Sequence, residues 1–309
     1  MELRHLRYFI AVAEEGHITR AAERLGMQQP PLSQQIKGLE RELGAQLLRR
    51  LPRGVEPTDA GRAFLAEARL ILAQVDSAFA STRRTARGEL GRIAIGFTSS
   101  APFHPFVPRV IRAFREASPL VSLALDEDGT TQLIQNLRGD RVDVAFIRTP
   151  VADPAGLVVD PMLEEKMVVA LPEQHALATR EHRDEAGLDL RRLAGETFIV
   201  YRRHSGPGLY DAIFAACHAA GFSPLVGQEA PRIVSTLNLV AAGLGLSLVP
   251  ASLQRMHMDG VTYRPIKGHN QPVAPLHLAS RRGETSPVVR RFLSLAKETA
   301  NIFRSEHVL

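Results

Sequence analysis

Between Gly26 and Glu40 the chain reads GMQQPPLSQQIKGLE, a stretch rich in side chains that can read a hydrogen-bonding edge. Gln28, Gln29, Gln34 and Gln35 each carry a donor and an acceptor, Ser33 can play either part, and Lys37 brings a positive charge. Leu32, Ile36, Leu39 and Leu43 recur among them at helical spacing, and Gly44 follows. That rhythm predicts a helix that buries one face and turns the polar residues outward. The adjacent Pro30 and Pro31 belong to its first turn, where a fixed φ helps and a missing N–H does no harm. The exposed N–H groups of so stiff a helix tip are expected to favour an anion or a polar edge.

A second group of such residues lies far downstream. Thr98, Ser99 and Ser100 follow the apolar run RIAIGF; Gly129, Thr130 and Thr131 follow VSLALDE; Arg148 follows VDVAFI. Each run predicts a strand, and the helical patterns VPRVIRAFREA and TQLIQNLRGD between them predict a parallel sheet, whose ligands bind outside the carboxyl ends of its strands. Hydroxyls and helix-start N–H groups suit a carboxylate there, and Arg148 can add a charged fork. From YRRHSGPG, Tyr201, Arg202, Arg203, His204 and Ser205 are expected across the cleft, the arginine pair suiting a dianion. Capping explains any one serine or threonine, and a surface ion pair explains Arg148; their convergence points to a small anion.

The elements that must position the first group precede and follow it. Leu3, Leu6, Phe9, Ile10, Val12 and Ala13 predict a helix ended by Gly16, and TRAAERLGM predicts a second one that starts at Thr19 and keeps Arg20 and Arg24 wet. Helix, glycine turn and polar-faced helix make a helix-turn-helix, whose second helix enters the major groove. Glutamine can then pair with an adenine edge while Lys37 meets phosphate. In LLRRLPRGVEPTDAG, Arg49, Arg50 and Arg53 surround Pro52 and Gly54, which predicts a basic wing on a turn.

From Thr58 to about Arg84, Leu65, Ala68, Leu72, Val75, Phe79 and Thr82 form a heptad seam, which predicts dimerisation against a second copy; packing on its own domain is the competing explanation. Two copies would read two half-sites of a roughly palindromic DNA target. RRTARGELG is expected to be a loose connector with a hinge near Gly88 and Gly91.

The order LRYFIAVAEEGHITRAAERLGMQQPPLSQQIKGLERELGAQLLRR, followed by TDAG, resembles the LysR-type transcriptional regulators, and the resemblance extends over the whole chain. It implies an α plus α/β fold: a winged helix-turn-helix over 1–58, a linker and dimerisation helix over 59–88, and a periplasmic-binding-protein-like effector domain over 89–309. Subdomain I of that last domain is expected at about 92–162 and 267–309, and subdomain II at about 163–266. The resemblance further implies that Gln29, Pro30, Pro31, Ser33, Gln34 and Gln35 lie at the start of the recognition helix with Arg53 on the wing. DNA contacts are expected from these and from Thr19, Arg20, Gln28, Lys37 and Arg50. Relatives often carry arginine where Gln34 stands, so an altered base preference is expected. Implied partners are double-stranded promoter DNA, RNA polymerase and further copies of the chain as a dimer of dimers. The pattern VAAGLGLSLVPAS is similar to the subgroup sensing benzoate, muconate and related aromatic-degradation acids, in which Ser99, Ser100, Thr130 and Arg148 match effector-binding positions.

Composition narrows the alternatives. A formal net charge of +5 and a pI near 9.8 permit a polyanionic partner without requiring one. Cys217 is the only cysteine, which excludes an intramolecular disulfide and a cysteine-rich zinc site; no metal or cofactor is expected. The opening MELRHLRYF lacks a secretory apolar region, so a cytoplasmic protein is expected. The uncharged run from Ile233 is broken by Asn238, Gly243, Gly245 and Pro250, which argues against a membrane span. An enzyme finds no HExxH, GxSxG or phosphate loop, and Cys217 and His218, adjacent on a helix, point about 100° apart. A single-cysteine redox regulator lacks a resolving thiol.

Overall fold

The structure, a computed structural model, describes residues 1–148, 154–178, 187–268 and 271–306. Its contacts divide the chain into two compact units, Met1–Arg84 and Thr85–Leu309.

The first unit begins with α1 (Leu3–Glu15), α2 (Ile18–Arg24) and α3 (Gln29–Leu43). Gly16 and Gly44, both left-handed, close α1 and α3. The His17 ring nitrogen accepts from Thr19 N–H at 3.3 Å, so α2 starts one residue before the expected Thr19. Phe9, Val12, Leu32, Ile36 and Leu39 form the core, and the small, buried Ala21 and Ala22 let α2 settle on it. Strands β1 (Leu48–Leu51) and β2 (Gly54–Pro57) make the antiparallel hairpin of the expected wing.

Helix α4 (Asp59–Ala86) is fastened to this unit through Thr58. The Thr58 hydroxyl donates to the Gln46 carbonyl at 2.7 Å and accepts from Gly61 N–H at 3.0 Å, capping the helix. Gly61 then crosses the Leu47 carbonyl so closely that any Cβ would collide with it. The expected seam is used unevenly. Ala68 is fully buried within the single chain and Leu65 packs against the first unit's own core, so these two do not await a second copy. Leu72 and Val75 are half-buried and Phe79 is exposed, with Leu70 and Ile71 exposed beside them.

The second unit opens with β3 (Leu90–Phe97), α5 (Phe106–Ala117), β4 (Leu120–Glu127), α6 (Thr130–Arg138) and β5 (Val144–Ile147). The long β6 (Leu157–Pro172) leads to β7 (Thr197–Tyr201), α7 (Pro207–Ala219), β8 (Leu225–Ala230), α8 (Ile233–Ala241), β9 (Ser247–Pro250) and β10 (Val261–Pro265). Then β11 (Val273–Arg281) returns, and α9 (Pro287–Glu306) closes the unit. The main sheet has the order β10-β6-β11-β5-β3-β4 with β9 also on β6, while β7 and β8 pair separately.

Within the main sheet β3, β4 and β5 keep the expected parallel arrangement, as do β7 and β8 in their own sheet; β11 lies antiparallel to β5 and β6, and β9 and β10 antiparallel to β6. The reason is that β6 and β11 connect the two halves by running straight from one to the other. β6 pairs with β11 up to Lys166 and with β9 from Met167, beyond the change of subdomain expected after residue 162. One half is filled by phenylalanines such as Phe106, Phe114, Phe146 and Phe292, and the other by Phe198, Ile213, Cys217, Leu237 and Leu248.

The expected hinge glycines are built into this unit. Gly88 is buried, and a Cβ there would stand 2.6 Å from the Pro287 carbonyl; Gly91 lies within β3, opposite Val121. Among the described residues no helix is long and apolar enough to cross a membrane.

The close approach at Gly61 is testable against a helical glycine with open space around it, Gly38. Gly61→Ala is expected to destabilise the chain by about 1–3 kcal/mol through overpacking against backbone. Gly38→Ala is expected to stabilise it by up to about 1 kcal/mol, since alanine loses less backbone entropy. Urea denaturation midpoints check both signs.

Candidate functional site

In the first unit, Gln28, Gln29, Pro30, Pro31, Gln34 and Lys37 are exposed on α3, and Ser33 and Gln35 are half-buried. None of these polar side chains spends its hydrogen-bonding capacity on another described residue. The tip itself has fewer donors than expected. Gln28 caps α3, and Pro30 and Pro31 occupy its first turn, so two of the N–H groups an anion would use do not exist. Recognition at this tip therefore rests on side chains.

The cations of this unit fall into two sets. Arg24 bonds Glu14 and Glu15, Arg69 bonds Glu14, and Arg49 pairs with Glu56 across the hairpin. Hydrogen bonds from Arg69 and then Arg24 hold the Glu14 carboxyl below its ordinary range. Arg20 donates to the Glu15 carbonyl at 2.7 Å, and Thr19 is exposed beside it. Arg50 and Arg53 on the wing, like Lys37, are exposed and enter no ion pair among the described residues.

In the second unit a cavity of about 190 Å³ lies at the carboxyl ends of β3, β4 and β5. Thr98, Ser99 and Ser100 line it from the end of β3, Gly129 and Thr130 from the end of β4, and Arg148 from the end of β5. Tyr201, Ser205, Gly206, Leu209 and Arg232 line it from the opposite half. Three side-chain atoms there are buried without a hydrogen-bond partner: Thr98 Oγ1, Arg148 Nε and Tyr201 Oη. Burial keeps the Tyr201 phenol neutral, well above its ordinary titration, although nearby Arg148 pulls the other way.

Several candidate anion contacts are already engaged. The buried Arg148 meets Glu165 at 2.5 Å and donates to the carbonyls of Ala274 and Ser100 at 3.2 and 3.3 Å. Glu165 also accepts from the N–H and hydroxyl of Ser252 at 3.0 and 3.2 Å. The expected charged fork is thus largely occupied, and its Nε is the nitrogen left without any partner among the described residues. At the tip of α6, Thr130 N–H donates to the Ser205 carbonyl and the Thr131 hydroxyl to the His204 carbonyl, each at 2.9 Å. Only glycine allows that approach, because a Cβ on Gly129 would stand 2.6 Å from the Ser205 oxygen. Thr131, Arg202 and Arg203 stand outside the cavity lining, and Arg203 pairs with Asp211 at 3.0 Å above the Tyr210 ring.

Sequence reading missed Glu165, Glu127, Asp128 and Arg232. The acidic pair lines the cavity, and Glu127 meets Arg232 at 3.2 Å. The Glu-Asp-Gly at the end of β4 was a visible signal; the partnership of Glu165 carried none. Cys217 is fully buried, and burial pushes its thiol up to about 11, which leaves a redox role without its thiolate. No group of histidine, cysteine, aspartate and glutamate able to hold a metal occurs among the described residues.

Removing one member of the buried Arg148–Glu165 pair strands the other. Arg148→Ala is expected to cost about 3–5 kcal/mol, whereas replacing both with apolar residues of similar size, as in R148M/E165L, is expected to recover most of that loss. Chemical denaturation of R148M, E165L and R148M/E165L in a double-mutant cycle checks the non-additivity.

This geometry has close counterparts among known proteins. Residues 3–62 match the bacterial regulatory helix-turn-helix model of the lysR family, and residues 86–301 match the LysR substrate binding domain. The HTH-type transcriptional regulator BudR of Raoultella terrigena is 39% identical over 96% of this chain and 100% of its own length. The regulator CatR of Pseudomonas putida is 38% identical over 97% of this chain and all of its own. Full-length CbnR in complex with its target DNA superposes with a TM-score of 0.84 at 28% identity, covering 97% of this chain and 100% of that one. The helix-turn-helix with its unpaired outer face and the two-halved domain with its cleft are therefore those of a LysR-family DNA-binding transcriptional regulator, the family to which this chain belongs.

Proposed function

We propose that this regulator acts in the cytoplasm as an oligomer on promoter DNA, and that a small carboxylic acid bound in the cleft sets its output to RNA polymerase. The observation that carries the effector is the coincidence of three orphaned polar atoms, Thr98 Oγ1, Arg148 Nε and Tyr201 Oη, in one cavity. Buried polar groups are nearly always paired, so three around one void mark a missing partner. A carboxylic acid supplies acceptors for all three. The volume suits a small molecule.

The lining favours a monoacid over the dianion suggested by Arg202 and Arg203. Glu127 and Asp128 line the same cavity, Glu127 already pairs with Arg232, and Arg148 is already balanced by Glu165. A second ligand charge would meet carboxylates rather than cations.

On the DNA side, Gln28, Gln29, Ser33, Gln34 and Gln35 read base edges and Lys37, Arg50 and Arg53 meet phosphate, with Thr19 and Arg20 beside them. Among the described residues the α3 side chains and those of Arg50 and Arg53 are unpaired, which supports that reading, whereas Arg20 is held by the Glu15 carbonyl. Oligomerisation falls to the later part of α4, the half-buried Leu72 and Val75 with the exposed Phe79, whose apolar surface a lone helix would leave wet.

The experiment for the effector is thermal unfolding of the chain against acetate, benzoate and cis,cis-muconate. An acid at a hundred times its dissociation constant adds about 2.7 kcal/mol of stability. That gain is expected in the wild type and lost in Thr98→Val and Tyr201→Phe, whose unliganded melting points should barely move because neither atom has a partner to lose. A flat response to all three acids sinks the effector reading.

The DNA reading separates by salt. Arg53→Ala is expected to weaken binding to every sequence alike and to reduce the slope of log affinity against log salt by about 1. Gln29→Ala should leave that slope unchanged and relax discrimination at one base pair by about 1–3 kcal/mol. Anisotropy titrations on a selected site and its single-base variants provide both readings.

A further inference from the structure

We propose that Arg232 is the cation that receives the acid's carboxylate, and that it does so by exchanging Glu127 for the ligand. The inference rests on the acid reading of the same cleft and names which charge in it is exchangeable.

Two arginines line the cavity, and they differ in what holds them. Arg148 is only 3% exposed in its side chain and meets Glu165, 9% exposed, at 2.5 Å, with Ser252 fixing that carboxylate from two donors. A ligand carboxylate that took Arg148 would leave the Glu165 charge buried and uncompensated, so this pair resists exchange. Arg232 is 65% exposed and touches Glu127, 38% exposed, through one contact at 3.2 Å. A pair of that kind is weak, because solvent screens it and both side chains give up freedom to form it. Glu127 is therefore a carboxylate that another carboxylate can replace.

The position of the pair gives the exchange a consequence. Glu127 ends β4 in one half of the domain, and Arg232 caps the start of α8 in the other. Among the described residues their contact joins two other polar ties across the cleft, Thr130 N–H to Ser205 and the Thr131 hydroxyl to His204. When an acid anchored by Thr98, Tyr201 and the Arg148 Nε takes Arg232, this tie passes from Glu127 to the ligand. The released Glu127 is left beside Asp128 and Asp126, the latter accepting from Asn136. Glu127 thus holds the mouth shut in the free protein and selects for a ligand with a negative charge. A neutral analogue cannot perform the exchange.

The test is calorimetric titration of the full chain with acetate, benzoate and cis,cis-muconate, each beside its amide, into wild type, Arg232→Gln, Glu127→Gln and Thr98→Val. For every acid that binds, Arg232→Gln is expected to weaken affinity about tenfold or more, the loss of one charged hydrogen bond. Glu127→Gln is expected to tighten the same acid severalfold by removing its competitor. Binding of the amides should be weak in wild type and indifferent to both changes. Thr98→Val should weaken acid binding by itself, which reports on the cleft independently of Arg232. Acid affinity that falls in Thr98→Val but is unmoved in Arg232→Gln and Glu127→Gln overturns this inference and leaves the cleft standing. Equal binding of acid and amide overturns it as well. No binding by any acid removes the effector reading and this one with it.

Discussion

The buried contact between Arg148 and Glu165 is the constraint around which the second unit is organised. Arg148 ends β5, Glu165 lies where β6 is about to change partners, Ala274 opens β11, and Ser252 follows β9. One ion pair therefore ties together the two strands that cross between the halves and the ends of two more. A pair this deep need not add net stability, because desolvating both charges offsets much of their attraction. What it enforces is geometry. The observed register of β6 against β11, with Glu165 opposite Ala274, is the one that brings Glu165 to Arg148, and a two-residue slip would carry that carboxylate away from its partner.

Much of this was legible from short-range chemistry. Helix ends at Gly16 and Gly44, the polar face of α3, and the convergence of Thr98, Ser100, Thr130 and Arg148 all follow from spacing and from the rule that ligands sit at the ends of parallel strands. What escaped depends on partners distant in sequence. Nothing around Arg148 announces Glu165, because their meeting is set by how β5, β11 and β6 lie side by side, and antiparallel strands among parallel ones are a tertiary outcome. The seam on α4 was ambiguous for a related reason. Heptad spacing states that a stripe is apolar, and whether Ala68 meets its own unit or a second copy depends on where the helix starts, which Thr58 and Gly61 decide. The N–H groups at the tip of α3 could have been discounted from sequence, since proline has none.

A common mark distinguishes residues that hold the molecule together from those left to meet something else. In the first unit Arg24, Arg49 and Arg69 are engaged by carboxylates, whereas Lys37, Arg50 and Arg53 are not. In the second unit the other nitrogens of Arg148 are satisfied, and its Nε, the Thr98 hydroxyl and the Tyr201 phenol are not. Exposed cations without partners cost almost nothing, because water solvates them. Buried polar atoms without partners cost about 1–3 kcal/mol each. The cleft is thus the more costly of the two surfaces to keep open, and filling it yields the larger return.

The ties across the cleft mouth contrast with the pair in its floor. An exposed ion pair contributes roughly 0–1 kcal/mol and a hydrogen bond about 1 kcal/mol net, so Glu127–Arg232 and the two contacts of the 204–205 segment together amount to a few kcal/mol. A ligand of micromolar affinity brings about 8 kcal/mol. A ligand can shift a conformational equilibrium only by the difference in its affinity for the two states, and here that difference need be only a fraction of its total binding energy. Were the mouth held as firmly as the floor, a small acid could occupy the cavity without changing anything around it. On the proposed reading, weak ties above a rigid floor would let the crossing strands keep their register while the rim responded to a bound acid.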